Sequence, residues 1–222
     1  MSASTARPAD FAHVNAWVFD LDNTLYPPTA RLFDQIEALM VGYLTRELGV
    51  DAAEAQRLRR LWWRDHGTTL AGLMIHHRID PEPFLDEVHR IDFSALAPDP
   101  ALRAAIAALP GRRIVYTNGA APYARAALAA LGLEGLFGDV YGVEHAFYTP
   151  KPEAAAFQRV FAIAGFDPRR AAMFEDDPRN LAAPARLGLA TVLVSEAPPA
   201  PRPPHVHHVT DDLAGFLARI AP

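Results

Sequence analysis

The stretch V-F-D-L-D-N-T-L, residues 18–25, joins a short apolar run to two aspartates, Asp20 and Asp22. Val18 and Phe19 are typical of the end of a buried strand, and open α/β sheets bind ligands where their parallel strands end. Two acids placed there repel each other. The repulsion is tolerated where a cation lies between the carboxylates, or where one acid stays protonated while its neighbour is ionised. Both conditions suit phosphoryl transfer through an aspartate.

Alternating apolar runs and helical patterns predict the fold class. Apolar runs occur at residues 17–19, 114–116, 171–174 and 191–194, with a weaker one at 139–143. Helical patterns, several of them with proline starts and glycine stops, cover residues 100–109, 122–131, 153–164 and 178–187. Strand and helix alternating at this spacing predict βαβ units. We therefore expect an α/β, Rossmann-like, doubly wound core with a mainly parallel sheet.

One long segment interrupts this alternation. Residues 27–97 contain several helical patterns and no convincing strand, which predicts an inserted all-helical cap directly after the first acidic motif. The predicted domains are therefore a catalytic core at residues 1–26 and 98–222 and a helical cap at residues 27–97. We expect a frayed start up to about Asn15. Near the other end, residues 197–205 predict a proline-stiffened connection, followed by a short strand and a final helix at residues 211–220.

Composition narrows the classes of partner. The chain has 222 residues, a formal net charge of -5, half of its residues hydrophobic and no cysteine. An acidic balance argues against a nucleic-acid partner, since such proteins usually carry a basic face. No apolar run is long enough to span a membrane, and the first residues lack the apolar core of a secretion signal. We expect a soluble cytoplasmic protein with no membrane partner. The sequence leaves its oligomeric state open.

Three further polar segments follow predicted strands. Thr117 and Asn118 can donate hydrogen bonds to phosphate oxygens, although T-N-G is also a common turn. Lys151 precedes a proline and a helix, a placement that a surface lysine could also have. The acids of residues 175–177 directly follow an apolar run. Three acids so placed predict a hard cation with oxygen ligands, for which Mg²⁺ is the natural choice.

In order along the chain, the segments D-x-D-x-T, T-N-G, K-P and E-D-D resemble the motif set of the haloacid dehalogenase-like hydrolase superfamily. The helical insertion also lies where that family carries a cap, between the first and second motifs. The resemblance implies a Rossmann-like core and Mg²⁺-dependent phosphate transfer through an aspartyl-phosphate. A small phosphate monoester is the implied substrate.

The resemblance also implies roles for single residues. Asp20 would attack phosphorus, and Asp22 would protonate the leaving alcohol and then activate water. Asp20, the Asp22 carbonyl and Asp176 would hold Mg²⁺ and screen the repulsion between Asp20 and phosphate. Lys151 would hold the charge of Asp20 and of the phosphoryl group. The equatorial oxygens would be bound by Thr117 and the Asn118 amide.

The acid at Asp22 favours one branch of the superfamily. Dehalogenases of the resembling family lack an acid at this position and transporting ATPases carry threonine there, so Asp22 favours a phosphatase or a mutase. Glu175 is expected to assist the metal through water. Asp177 departs from a commoner serine and leaves open whether it or Asp176 is the metal ligand; we favour Asp176. Thr24 is expected to brace the loop.

The cap carries the weaker evidence on substrate. L-W-W-R-D-H-G-T-T-L-A-G-L, residues 61–73, resembles the Y-G-x-T-L-x-G-L segment of pyrimidine 5'-nucleotidases, and so does Tyr26 after the first motif. This resemblance implies UMP-like or CMP-like substrates. A broad small-molecule phosphatase, a sugar-phosphate mutase and a noncatalytic binding protein remain alternatives. We expect Arg64, His66 and Thr69 to reach substrate. The aromatic and leucine side chains are expected to pack the cap: Trp62, Trp63, Leu70 and Leu73.

Histidines recur at residues 76–77 and 205–208 and could suggest a transition-metal site. No acid or cysteine stands near them at metal-site spacing, and neither group lies at a predicted strand end. We therefore interpret them as solvated or capping histidines.

Overall fold

A six-stranded sheet forms the centre of the protein in the computed structural model, which describes residues 6–221. Its strands are β1 (Ala16–Phe19), β2 (Arg112–Tyr116), β3 (Asp139–Tyr141), β4 (Ala171–Glu175), β5 (Ala190–Val194) and β6 (His208–Thr210). The spatial order is β3-β2-β1-β4-β5-β6, and every neighbouring pair is parallel. The predicted Rossmann-like parallel core is confirmed.

Helices cover both faces of this sheet. The helices of the core are α1 (Pro8–Phe11), α6 (Pro100–Ala108), α7 (Ala121–Ala130), α8 (Ala154–Ala164), α9 (Ala182–Leu187) and α10 (Leu213–Ile220). All residues of β1 and β4 are buried, because both of their faces are covered. Along β1, Phe19 packs with α6, α7 and α10, and its neighbour Val18 packs on the opposite face with α8 and α9. Strand alternation thus divides the apolar runs between two cores.

The strand order creates a crevice between β1 and β4. The chain runs outward from β1 to β2 and β3, then crosses back to β4 on the other side of β1. Ligands bind beyond the carboxyl ends of strands at such a switch point. Asp20 directly follows β1 and Glu175 ends β4, and Phe19 pairs in register with Phe174. The topology therefore brings the first and last acidic motifs to one edge of the sheet.

Between β1 and α6 lie four α-helices: α2 (Leu32–Leu48), α3 (Ala52–His66), α4 (Thr69–His77) and α5 (Pro81–Val88). Side chains cap three of them: Asp51 accepts from Glu54 N, Thr68 from Ala71 N and Asp80 from Glu82 N. Helices α3 and α4 approach closely where Trp62 lies over Gly72. A Cβ atom at Gly72 would lie 2.1 Å from Trp62 Cγ, so only glycine fits there. We refer to these four helices and their connections, up to His89 at the end of α5, as the helical insertion.

Several predicted elements differ in detail. The chain before Asn15 is not frayed throughout, because α1 places Phe11 against Trp17 and Phe216 and buries it. Residues 1–5 of that predicted frayed start lie outside the described residues. The helix predicted at residues 178–187 begins as a 3₁₀ turn, Pro178–Leu181, before α9. Among the helices described, none is both long and apolar enough to cross a membrane.

Candidate active site

Lys151 connects the two acidic strand ends. Its ammonium donates to Asp20 Oδ1 at 2.6 Å, to Glu175 Oε2 at 2.7 Å and to the carbonyl oxygen of Tyr116 at 3.2 Å. The Lys151 side chain is only 1% exposed, so these charge-assisted bonds form out of contact with water. One buried cation is therefore shared by carboxylates from two neighbouring strands.

The side chain of Asn118 holds the backbone of Lys151. Asn118 Oδ1 accepts from the Lys151 N–H at 2.7 Å, and Asn118 Nδ2 donates to the Lys151 carbonyl at 3.1 Å. This pair of bonds positions the lysine loop beside the end of β2. The side-chain amide of Asn118, expected to bind phosphate oxygens, is thus engaged with Lys151 instead.

Carboxylates outnumber cations at this edge of the sheet. One oxygen from each of Asp20, Glu175 and Asp176 lies within 4.8 Å of the others. Burial, reinforced by the charge of Glu175, raises the pKa of Asp20 to about 8 despite its bond to Lys151. Burial also raises the pKa of Glu175 to about 8 and that of Asp176 to about 6. Lys151 balances one of three negative charges, so the site favours an added proton or an added cation.

This donor set fits a divalent metal. Its ligand atoms are all carboxylate oxygens, which Mg²⁺ prefers, and the uncompensated charge after pairing with Lys151 is that of two carboxylates. Asp176 belongs to this group, and Asn23 Nδ2 donates to it at 3.4 Å. Asp177 instead pairs with Arg179 at 2.6 Å and accepts the Arg179 N–H. Of the two acids left open by the sequence, the structure places Asp176 in the cluster.

The Asp22 side chain has different partners, from outside the acidic cluster. Tyr26 and Tyr123 both donate to Asp22 Oδ1, at 2.5 and 2.6 Å. Thr117 Oγ1 donates to Asp22 Oδ2 at 3.3 Å and accepts the Gly119 N–H at 2.9 Å. The carboxylate of Asp22 is therefore not part of the acidic cluster. Its predicted role toward the metal concerns only its backbone carbonyl.

A cavity of about 560 Å³ joins these groups to the helical insertion. Its lining includes the predicted catalytic and binding residues Asp20, Asp22, Thr117, Asn118, Lys151 and Asp176. The insertion contributes Phe33, Arg59, Arg60, Trp63, Thr69 and His89, among others. The volume lies within the range of small-molecule sites.

Some insertion residues differ from expectation. Thr69 lines the cavity as expected, but Arg64 and His66 do not; Arg64 pairs with Asp65 at 2.6 Å. Trp63 was expected to pack the cap, yet it is 51% exposed and lines the cavity, with the Arg179 guanidinium 4.3 Å from its ring centre. Trp62, Leu70 and Leu73 are buried, as expected for packing residues.

Within residues 6–221, the histidines belong to no cluster of metal-binding side chains. The acidic cluster is the only group of three or more metal-binding side chains found within residues 6–221. His66 Nε2 and His76 Nε2 lie 2.9 Å apart, and the His76 ring stacks on Trp62. His205 bonds to the carbonyl oxygen of Pro178 and His207 accepts the Thr191 N–H. Hydrogen bonding and packing account for these side chains.

The sequence interpretation missed Tyr123 and Asn23. Tyr123 lies on α7, one turn after the T-N-G motif, and a phenol so close to the sheet edge was the available signal. Asn23 adopts a left-handed conformation with φ 59°, which asparagine tolerates, and this turns its amide toward Asp176. The hydroxyl of Thr24 makes no hydrogen bond within residues 6–221, although its N–H donates to the Leu21 carbonyl.

Sheet order and the carboxylate–lysine cluster at the switch point define an α/β protein with an acidic site. The chain belongs to the haloacid dehalogenase-like hydrolase family, whose model matches residues 14–188. The predicted superfamily is confirmed, and the chain is a hydrolase of this family.

The chain is similar to phosphate metabolism protein 8 of Saccharomyces cerevisiae, with 26% identity over 193 residues. The match covers 79% of this chain but only 60% of the yeast protein.

Solved structures share the fold at low sequence identity. An L-2-haloacid dehalogenase from Xanthobacter autotrophicus with chloropropionic acid covalently bound has a TM-score of 0.56 at 16% identity, over 92% of this chain and 97% of that one. The putative HAD-hydrolase YfnB from Bacillus subtilis bound to magnesium has a TM-score of 0.57 at 16% identity, over 94% and 99%. These likenesses concern the fold alone.

Proposed function

We propose that the protein is a Mg²⁺-dependent phosphomonoesterase that acts through an aspartyl-phosphate on Asp20. The observation that carries this proposal is the convergence of Asp20, Lys151 and Asp176 at the switch point, with Asp22 in the lining of the same cavity. A nucleophile, a charge-balancing cation and a separately held acid are the groups that this reaction needs.

The reaction has two displacements. An Asp20 carboxylate oxygen attacks phosphorus, the bond from phosphorus to the substrate oxygen breaks, and Asp22 gives its proton to the departing alcohol. Water then attacks phosphorus, Asp22 takes a proton from it, and the acyl-phosphate bond breaks to release phosphate and free Asp20. Lys151 and Thr117 are expected to bind the phosphoryl oxygens, each such group contributing roughly a hundredfold to a thousandfold in rate.

Mg²⁺ bound by Asp20, Asp176 and the Asp22 carbonyl would neutralise charge on the phosphoryl group and the nucleophile. The support for this part of the proposal is the donor set described above, with three carboxylates for one lysine. The solved relative from Bacillus subtilis is described as bound to magnesium.

A dehalogenase is the rival within the family, because several structures with this fold have that activity. The acid at Asp22 supports the phosphatase. Asp22 lines the cavity and is held by three hydroxyl groups, and displacement of a halide needs no proton donor. The name of the yeast relative, phosphate metabolism protein 8, is in keeping with phosphate chemistry.

We further propose that the alcohol released is a pyrimidine nucleoside, from UMP or CMP. Support comes from the cavity volume and from two half-exposed aromatic side chains that line it, Phe33 and Trp63. A flat base can stack on such a ring, a contact worth about 0.5–1.5 kcal/mol beyond buried area. A broad small-molecule phosphatase and a sugar-phosphate mutase remain alternatives, as does a noncatalytic binding protein.

Phosphate release should be measured across UMP, CMP, sugar phosphates and phosphoglycolate, with and without EDTA. We expect UMP and CMP among the best substrates, and loss of all turnover in EDTA and in Asp20→Asn. Nucleotides among the worst substrates would refute the substrate proposal while leaving the mechanism. Isomerisation of a sugar phosphate without phosphate release would indicate a mutase. Turnover retained by Asp20→Asn would refute the assignment of Asp20 as the nucleophile.

The aromatic contact has a matched test. Trp63→Ala should raise KM for UMP about threefold to tenfold and leave KM for glycerol phosphate unchanged, because glycerol has no ring to stack. Phe147 provides the control, since it is also exposed, also lies under an arginine (Arg159, 4.6 Å) and lies outside the cavity lining. An equal change in KM for both substrates, or the same effect from Phe147→Ala, would contradict base stacking on Trp63.

A further inference from the structure

Two tyrosines from different elements converge on one oxygen of Asp22. Tyr26 follows the first motif and Tyr123 lies in the first turn of α7, and both are at most 4% exposed. Their hydroxyl groups donate to Asp22 Oδ1 and lie 3.3 Å from each other. The reaction as described above uses Asp22 but gives these phenols no task.

Both phenols act as donors here. A carboxylate oxygen can only accept, so each phenol gives its O–H to Asp22 Oδ1. Oδ1 therefore accepts two O–H bonds, and a proton carried by this carboxyl group resides on Oδ2. Oδ2 has a single and longer contact, at 3.3 Å, to Thr117 Oγ1, which is the hydroxyl predicted to bind phosphate.

Tyr123 is itself held by the helical insertion. The ring of His89, just after α5, stacks on Tyr123 with centres 4.4 Å apart and planes inclined by 17°. His89 also lines the cavity. The orientation of Asp22 is thus linked through Tyr123 to a residue of the insertion that lines the cavity.

We propose that Tyr26 and Tyr123 are positioning residues that hold Asp22 so that Oδ2 alone exchanges protons during turnover. The inference rests on the proposed phosphatase function. In the first step the Oδ2–H bond breaks as an O–H bond forms on the departing alcohol. In the second step an O–H bond of water breaks and Oδ2–H forms again. Neither tyrosine gains or loses a proton.

The test compares substrates that do and do not need a proton donor. p-Nitrophenolate leaves without protonation, whereas the alcohol of glycerol phosphate needs a proton as it departs. The ratio of kcat/KM for the two esters reports the first displacement only, because kcat/KM includes steps up to the first irreversible one. Slower hydrolysis of the acyl-phosphate therefore does not enter it.

We expect Tyr123→Phe and Tyr26→Phe each to lower kcat/KM for glycerol phosphate at least tenfold and that for p-nitrophenyl phosphate less than threefold. Asp22→Asn should show the same difference between the two esters, with a larger fall in kcat/KM for glycerol phosphate. Tyr43→Phe is the control, since Tyr43 is a buried phenol of the insertion outside the cavity lining. It should change neither value. Thermal unfolding of each variant shows whether it is folded.

A merely structural role for the tyrosines would lower both kcat/KM values by the same factor, and that result would overturn the proposal. So would values unchanged from the wild type in both single variants. If the tyrosine variants lower kcat/KM equally for both esters while Asp22→Asn lowers it more for glycerol phosphate, only the positioning role is refuted. The proposed phosphatase function then stands. Failure of the wild type to hydrolyse either ester would refute the proposed function and this inference with it.

Discussion

Removing metal from the protein should make its stability fall as pH rises. Asp20 and Glu175 point at the same ammonium, from 2.6 and 2.7 Å, and burial raises the pKa of both to about 8. The unfolded chain releases these protons near the ordinary carboxyl pKa of about 4. Between about pH 5 and about pH 8 the folded, metal-free protein therefore binds more protons than the unfolded chain, and its stability decreases with pH.

The magnitude follows from the number of protons retained. Each extra proton on the folded state lowers the free energy of unfolding by about 1.4 kcal/mol per pH unit. Lys151 balances the charge of one carboxylate of the Asp20–Glu175 pair, so we count one retained proton for the pair. The free energy of unfolding then falls by about 3 kcal/mol between about pH 5.5 and about pH 7.5. A divalent cation replaces that proton, so saturating Mg²⁺ should remove most of the slope.

Urea unfolding at three pH values, in EDTA and in saturating Mg²⁺, measures this difference. Half-buried histidines also titrate in this range: partial burial lowers the pKa of His89 and His208, so they add stability as pH rises. The contribution of His208, which lies outside the cavity lining, cancels between EDTA and Mg²⁺. That of His89, which lines the cavity, opposes the carboxylate slope in EDTA. Asp20→Asn should flatten the EDTA slope by about 1.4 kcal/mol per pH unit. Equal slopes in EDTA and Mg²⁺, or an unchanged slope in Asp20→Asn, would refute the reasoning.

Two further predictions concern single side chains. Lys151→Met leaves buried carboxylates without their cation, so we expect urea unfolding in EDTA to show about 3–5 kcal/mol lower stability. We also expect kcat/KM for phosphate release to fall at least about a hundredfold. A fall in kcat/KM of less than about tenfold would contradict the role of Lys151. Gly72→Ala forces a Cβ onto Trp62 and should lower the free energy of unfolding by about 1–3 kcal/mol. Gly42→Ala, inside α2 with no atom within 4 Å of the added Cβ, should raise it by roughly 0.5–1 kcal/mol. Similar thermal shifts in both glycine variants would contradict the close packing of α3 on α4.

The core could be predicted because its signals are local. Buried parallel strands are continuous apolar runs, and parallel strands place their carboxyl ends at one edge, so acids after β1 and β4 had to approach each other. Lys151 could be placed near them by its motif, but its bonds to both Asp20 and Glu175 depend on three-dimensional distance. Pattern alone could not supply that distance.

The helical insertion was less predictable because its signals are ambiguous. Trp62 and Trp63 are adjacent in sequence, yet one is buried on Gly72 and the other faces the cavity, a difference set by rotation along α3. Arg64, expected at the substrate, turns to Asp65. Tyr123 was missed because a tyrosine on an apolar helix face normally indicates packing, and here its hydroxyl reaches a carboxylate.

The central claim is that Asp20 carries the phosphoryl group. Asp22→Asn, mixed with p-nitrophenyl phosphate and Mg²⁺ and quenched in acid, should accumulate this species, since formation needs no proton donor but hydrolysis needs Asp22 as base. Mass spectrometry of the digested protein should then find one phosphoryl group on the peptide that contains Asp20. Release of p-nitrophenol with no phosphoryl group on that peptide, or with the group on another residue, would contradict the account.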